Sequence, residues 1–298
     1  MVWTANDIPD QTDRTAVVTG ANSGIGFHTA AQLAAKGAHV VLACRNLEKA
    51  NAAIAEITNE HPAARCTAMH LDLSQLASVR AFAADALQTL PNIDLLINNA
   101  GVMIPPKTLT EDGFELQFAT NHLGHFALTA LLSPNILNTT GSRIVTVSSN
   151  AHRWAKVNFE DLQRSRFYVP WDAYGQSKLA NLLFAYELDR RLTDQGHPTL
   201  SIAAHPGYTS TNIGKHSLFV EFATKWVAQN TLRGALTTLR AATDPQAKGG
   251  SYWGPKYFMQ MAGPPIEVQS TRRSHRTDDA ALLWTVSESL AGVHFLSR

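Results

Sequence analysis

Short apolar runs rich in β-branched residues recur along the chain, separated by longer stretches in which apolar positions follow helical spacing. Residues 15–19 form one such run, which is typical of a buried strand. Regular alternation of strands and helices predicts an α/β fold in which a parallel sheet carries helices on both faces. The predicted strands span 15–19, 39–44, 66–71, 93–98, 143–148 and 200–205.

The C-terminal part of the chain continues this alternation less clearly. Residues from Gly250 onward predict one last strand, and we expect Trp253 and Tyr257 to help wall a pocket. The stretch 278–288 predicts a final amphipathic helix. Because the sequence has no internal repeat, low-complexity tract or linker, we expect residues 1–298 to form a single domain.

Glycine and polar residues collect where the predicted strands end. In a parallel α/β sheet the carboxyl ends of the strands share one edge, and ligands bind there. The sequence therefore predicts a ligand site built from residues that are far apart along the chain. The residues at or just past a predicted strand end are Gly20, Arg45, Asp72, Asn98, Ser149 and Pro206.

Composition narrows the function classes. Lys plus Arg number 25 and Asp plus Glu number 24, so the chain lacks the excess of positive charge that is typical of nucleic-acid-binding proteins. No stretch approaches the ~20 apolar residues that span a bilayer, and the N-terminus does not read as a signal peptide. We expect a cytoplasmic protein whose Cys44 and Cys66 are buried, reduced thiols.

The twelve histidines raise the question of a metal site. His122 and His125 are three residues apart, and His152 and His205 lie near predicted strand ends. No Cys or Glu completes a recognisable ligand spacing around them. We therefore expect no catalytic metal.

The first strand leads directly into a glycine-rich turn and then a helix that ends near Gly37. Gly20, Gly24 and Gly26 follow the spacing Gly-x-x-x-Gly-x-Gly. In the setting of strand, turn and helix, this pattern predicts a dinucleotide site with the phosphates at the helix N-terminus. A simple glycine-rich connector is the alternative.

Arg45 ends the second predicted strand. An acidic residue here would bind a ribose 2′-hydroxyl, whereas Arg accommodates a 2′-phosphate. Arg45 therefore favours NADP(H) over NAD(H), unless it merely caps the strand.

Tyr174 and Lys178 are four residues apart in a predicted helix, so they share one face. A Lys cation beside a Tyr hydroxyl favours the phenolate and lowers the Tyr pKa from its usual value of about 10. The pair is thus a candidate general acid/base. Taken alone, the pair is better explained as part of an ordinary amphipathic helix, and it is the glycine motif near the N-terminus that favours the catalytic role.

With these motifs in the correct order over nearly the whole chain, the sequence resembles a short-chain dehydrogenase/reductase. The resemblance implies a single-domain, Rossmann-type, doubly wound parallel sheet. It implies catalytic roles for Asn121, Ser149, Tyr174 and Lys178. Together with the glycine motif it implies NADP(H) binding by Gly20, Asn22, Ser23, Gly24, Ile25, Gly26, Arg45, Asp72, Leu73, Asn98, Ala100, Gly101, Tyr174, Lys178, Pro206, Gly207, Thr209 and Thr211.

The catalytic serine has two candidates. Ser148 and Ser149 are adjacent, and neighbouring residues in a strand point to opposite faces. Only one of them can therefore face the reacting atoms. The family pattern favours Ser149, with Ser148 as the alternative.

A narrower resemblance rests on the 25-residue separation of Ser149 and Tyr174 and on the sequences around Asn121 and Lys178. These are similar to the branch of retinol dehydrogenases and protochlorophyllide reductases, which mostly act on large apolar molecules. Many animal retinol dehydrogenases carry an N-terminal membrane segment, and this sequence shows none, so we expect no membrane insertion.

We therefore expect an NADP(H)-dependent oxidoreductase that interconverts a carbonyl and an alcohol on a mainly apolar small molecule. The alternatives are reduction of a carbon–carbon double bond, a non-catalytic NADP(H)-binding regulator and a pure interaction module. In the family the segment at about 212–232 covers the substrate, although a helix packed on the core fits its pattern equally well. The expected partner is the small-molecule substrate. A homodimer and a monomer both remain open as the oligomeric state.

Overall fold

The computed structural model describes residues 2–208 and 230–297. Eight strands form one sheet within these residues. They are β1 (Thr15–Thr19), β2 (His39–Cys44), β3 (Arg65–His70), β4 (Leu95–Asn98), β5 (Arg143–Val147), β6 (Leu200–Ala204), β7 (Tyr252–Tyr257) and β8 (Ala262–Glu267). Their order across the sheet is β3-β2-β1-β4-β5-β6-β7-β8.

The predicted α/β fold is confirmed. All six strands predicted from apolar runs exist, with ends that differ by at most two residues. The C-terminal tail differs from the prediction, since it adds two strands, and β8 runs antiparallel to β7. Only four residues, 258–261, connect these strands, whereas a parallel pair needs a crossover of a dozen or more residues.

Eight α-helical segments connect or flank the strands within the described residues. They are α1 (Gly24–Ala35), α2 (Leu47–Glu60), α3 (Leu76–Thr89), the single turn α4 (Leu116–Phe118), α5 (Gly124–Leu137), α6 (Pro170–Asp194), α7 (Thr231–Thr243) and α8 (Thr277–Ala291). A π-helical turn, Ala119–Leu123, joins α4 to α5. Short 3₁₀ helices span Ala5–Asp7, Asn150–Arg153 and Arg272–His275.

The two faces of the sheet bury separate cores. Along β1, Val17 belongs to one core and Val18 to the other, as the strand's two-residue period requires. Helices α3, α5, α6 and α8 pack on the Val17 face, and α1, α2 and α7 pack on the Val18 face. Apolar residues of the central strands are therefore buried on both sides, which explains their continuous apolar runs.

The strand order reverses between β1 and β4, which are neighbours in the sheet. Such a reversal opens a crevice at the carboxyl ends of the two strands. The glycine turn follows β1, and the segment 99–101 follows β4, so both enter this crevice. Among the helices in residues 2–208 and 230–297, none has the length and apolar content needed to cross a membrane.

Candidate active site

One cavity of about 990 Å³ opens along the carboxyl edge of the sheet. Sixteen of the predicted site residues line it, from the glycine turn to the end of β6. These are Gly20, Asn22, Ser23, Gly24, Ile25, Gly26, Arg45, Asp72, Leu73, Ala100, Gly101, Ser149, Tyr174, Lys178, Pro206 and Gly207. Thr209 and Thr211 lie outside the described residues, as does most of the 212–232 segment.

The glycine turn brings backbone to the cavity surface. Gly20 has a φ of 64°, which favours glycine. A Cβ on Gly26 would collide with the Gly20 carbonyl oxygen and the Asn99 side-chain amide, so helix α1 packs closely on the turn. The Ser23 side chain makes no capping hydrogen bond at the start of α1. The positive end of the helix dipole therefore faces the cavity without a side-chain cap.

Arg45 and Asp72 lie together where β2 and β3 end. The Arg45 side chain is 73% exposed, and its Nε lies 4.0 Å from Asp72 Oδ2. The other carboxylate oxygen of Asp72 accepts hydrogen bonds from the backbone N–H and hydroxyl of Ser74. Asp72 is thus fixed by its own turn, while the Arg45 guanidinium stays accessible to an anion.

The structure corrects the prediction for Asn98. Its side chain is fully buried and donates to Thr129 Oγ1 on α5 at 3.1 Å, so it does not line the cavity. The next residue, Asn99, lines it instead and donates from Nδ2 to the Thr19 carbonyl oxygen at 2.7 Å. Thr19 Oγ1 also accepts from the backbone N–H groups of Asn99 and Ala100. Thr19 and Asn99 therefore hold the glycine turn against the end of β4.

The choice between the two serines follows from their hydrogen bonds. Ser148 is buried, and its hydroxyl donates to the Lys178 carbonyl oxygen at 2.8 Å. Ser149 follows β5, its hydroxyl accepts from the Ala151 N–H at 3.2 Å, and it lies close enough to the Tyr174 hydroxyl to lower the pKa of Tyr174. Of the two, Ser149 is therefore the one in contact with the Tyr174 hydroxyl.

Helix α6 carries Tyr174 and Lys178 one turn apart. The Lys178 Nζ lies 5.8 Å from the centre of the Tyr174 ring and donates to the Val147 carbonyl oxygen at 3.2 Å. Burial lowers the pKa of Lys178 to about 8. Burial also raises the pKa of Tyr174, against a smaller opposite effect of the Ser149 hydrogen bond. The expected lowering of the Tyr174 pKa by Lys178 is therefore wrong for the isolated chain, because burial dominates.

Asn121 lies outside the cavity lining, within the π-helical turn. Its side chain accepts from the Val102 N–H at 2.8 Å and donates to the Val102 carbonyl oxygen and to Ser177 Oγ. Asn121 thus ties α6 to the segment that follows β4. No pattern in the sequence predicts the π-helical turn, and such turns are frequent at functional sites.

A buried histidine continues this network toward the glycine turn. His125 Nδ1 bonds the Asn121 carbonyl oxygen at 3.0 Å, and Nε2 lies 2.9 Å from Thr19 Oγ1. A carbonyl only accepts, so Nδ1 carries the proton and Nε2 is an acceptor. Burial lowers the pKa of His125 to about 4, so the ring is neutral at physiological pH. No group of three or more metal-ligating side chains occurs in the part of the chain that the structure describes.

The β5–β8 side of the cavity differs from the prediction. Trp253 is buried with the core of the Val18 face, and Tyr257 is half exposed, and neither lines the cavity. The lining there includes, among the described residues, Asn150, Trp154, Trp171, Tyr208, Met259 and Met261. No motif spacing marks these residues, which explains why the sequence did not reveal them.

The fold and the cavity agree with the comparisons to known proteins. The sequence profile of the short chain dehydrogenase family matches residues 14–218. The chain belongs to this family, so it is an oxidoreductase of a class that uses NAD(H) or NADP(H).

Within the family the chain is retinol dehydrogenase-like. It is 38% identical over 299 residues to retinol dehydrogenase 14 of Mus musculus, covering 94% of this chain and 86% of that protein. It is 43% identical over 283 residues to retinol dehydrogenase 11 of Homo sapiens, with 94% and 86% covered. A crystal structure of an uncharacterized protein from Mycobacterium paratuberculosis matches with a TM-score of 0.84, 44% identity and 99% of each chain covered.

Proposed function

We propose that residues 1–298 form one NADP(H)-dependent oxidoreductase domain that interconverts a carbonyl and an alcohol on a mainly apolar small molecule. One observation carries the proposal: a single cavity joins the glycine turn and Arg45 to the side chains of Ser149, Tyr174 and Lys178. The proposed dinucleotide site and the proposed proton-transfer group therefore share one cavity.

The residues present fit NADP(H). A Cβ at Gly26 would collide with the Gly20 carbonyl oxygen, so helix α1 packs closely on the turn, as the third glycine of a dinucleotide motif requires. The exposed Arg45 guanidinium supplies charge-assisted hydrogen bonds suited to a 2′-phosphate. When bound, the cofactor supplies or accepts the hydride, and the chain supplies orientation and proton transfer.

In the proposed reduction, the Tyr174 hydroxyl gives its proton to the carbonyl oxygen of the substrate. Its raised pKa keeps that proton in place through neutral pH. Ser149 hydrogen-bonds the same substrate oxygen and orients it. In the oxidation, Tyr174 must act as the phenolate, which the neighbouring Lys178 cation favours.

An apolar substrate is supported by the walls beyond Ser149 and Tyr174. Trp154, Trp171 and Met259 line the cavity there, and such apolar linings with a few convergent polar groups are typical of small-molecule sites.

The direct test follows NADPH absorbance while purified protein is mixed with a panel of aldehydes and ketones, with product analysis for each active compound. We expect conversion of carbonyls to alcohols. Saturation of a carbon–carbon bond, or NADPH binding without turnover of any compound, would contradict the proposal.

A further inference from the structure

The turn between β7 and β8 has an unusual backbone. Phe258, Met259 and Gln260 have φ values of 53°, 53° and 65°, so three consecutive non-glycine residues adopt the left-handed region. Single residues other than glycine rarely do so, and each costs free energy that the surrounding structure must offset. Such strain is most common at functional sites, which directs attention to what holds this turn and what it presents.

Asn150 is the first anchor of the turn. Its side-chain amide Nδ2 lies 3.2 Å from both the Met259 and the Gln260 carbonyl oxygens and donates to them. Asn150 directly follows Ser149 in the chain. The backbone of the turn is therefore bonded to the residue next to the proposed catalytic serine.

His205 is the second anchor. Its Nδ1 accepts from the Gly207 N–H at 3.2 Å, so Nε2 carries the proton and donates to Gln260 Oε1, also at 3.2 Å. The Gln260 amide donates to the Gln269 carbonyl oxygen. His205 is fully buried beneath β7, where a Cβ on Gly254 would collide with its ring. A rigid, neutral side chain thus fixes the turn from below.

The turn presents Met259 and Met261 to the cavity. Met259 is 76% exposed, so it lies at the rim, and Met261 lies deeper. Phe258 is 72% exposed but does not line the cavity. Methionine is unbranched and polarizable, and it adapts to irregular apolar shapes.

We propose that the Met259 and Met261 side chains form a wall that determines substrate specificity, and that Asn150 is the positioning residue that fixes this wall relative to Ser149. The inference rests on the proposed carbonyl chemistry. With the carbonyl carbon held at Ser149 and Tyr174, the wall contacts only the part of the substrate beyond it. Selection therefore acts on the length of the apolar chain.

The test measures kcat/KM with NADPH for straight-chain aldehydes of increasing length. For Met259→Ala we expect a loss that grows with chain length and reaches at least about tenfold for the longest substrate. Met261→Ala, as a second variant, should show the same trend. Phe258→Ala is the matched control, since it removes a neighbouring exposed apolar side chain with the same φ from outside the cavity.

Asn150→Asp keeps the shape of Asn150 but removes the amide donor to the two carbonyls. We expect KM for long aldehydes to rise about as much as in Met259→Ala, with kcat at saturation and the Kd for NADPH little changed. If Asn150 had only a structural role, its substitution would instead lower kcat/KM equally for all aldehydes. The inference would be overturned if kcat/KM changed with aldehyde length in the same way in wild type, Met259→Ala and Met261→Ala. The proposed function would still stand in that case. If the wild type reduced no carbonyl compound at all, both the inference and the proposed function would be wrong.

Discussion

On the β1–β4 side of the cavity, the glycine turn presents backbone: Gly20 and Gly26 exclude side chains there, and a hydrogen bond from Asn99 to the Thr19 carbonyl oxygen holds that backbone in place. On the β5–β8 side the surface includes large side chains, such as those of Trp154 and Met259. Backbone suits a ligand part that is the same in every turnover, whereas side chains are readily exchanged between relatives. The contrast fits the proposed function, in which one side binds a constant cofactor and the other binds the substrate.

Tyr174→Phe separates the two sides most sharply. The ring still packs, but the proposed proton donor is gone, so we expect kcat for aldehyde reduction to fall at least about 100-fold. The Kd for NADPH, measured by fluorescence titration, should stay within about twofold of wild type because the β1–β4 side is untouched. Activity within tenfold of wild type would assign the proton transfer to another group.

Lys178→Met affects both sides, because the Lys178 Nζ lies beside Gly101, which follows β4, as well as beside the end of β5 and the Tyr174 ring. Its pKa of about 8 means that the cation is present below that pH and is lost as pH rises through it. The oxidation needs the Tyr174 phenolate, which this cation favours, so removing the cation should move the pH–rate profile of alcohol oxidation to higher pH. We also expect weaker NADPH binding. An unmoved profile would restrict Lys178 to holding the cofactor.

Arg45→Asp tests the β1–β4 side alone. Because the variant places a second carboxylate near Asp72, the preference for NADPH over NADH should fall about 10- to 100-fold. The dependence of kcat/KM on aldehyde length should not change. Arg65→Asp, with the same charge change at the exposed start of β3, is the control. Equal affinity of the wild type for both cofactors would remove the proposed role of Arg45.

The smallest expected effect concerns the β7–β8 turn alone. Phe258→Gly and Phe258→Ala both remove the ring, but only glycine adopts a φ of 53° without strain. The glycine variant should therefore have the higher free energy of unfolding in urea, by roughly 1 kcal/mol. Equal stability of the two variants would mean that residue 258 does not hold this conformation in solution.

The same contrast decides how much the sequence revealed. Strands β1 and β2 are runs of β-branched and apolar residues, and the glycine spacing follows directly, so this side was predictable. Strands β7 and β8 contain Gly254, Pro255, Pro264 and Pro265, which suit edge positions but weaken the strand pattern. Their hairpin was therefore predicted only as one strand.

Adjacent residues of the same type set a second limit on prediction. Asn98 and Asn99 are identical in the sequence, and only the position of α5 shows which one turns inward. Ser148 and Ser149 pose the same problem, and here the family pattern favoured Ser149, whose hydroxyl lies next to that of Tyr174. The wall formed by Met259 and Met261 depends on contacts with Asn150, more than one hundred residues earlier, which no local pattern contains.

The π-helical turn at Ala119–Leu123 has a consequence for the phase of the helix that follows it. In a regular α-helix each residue advances by about 100°. A wider turn accommodates an additional residue, so the register of α5 is offset from that of the segment before it. Phe118, His122 and Phe126 succeed one another with ring centroids 5.3 and 6.2 Å apart, which keeps them in one row. Removing one residue from the turn would restore a regular period and rotate Asn121 away from Val102. The position of Asn121 therefore depends on the number of residues in the helix as much as on their identity.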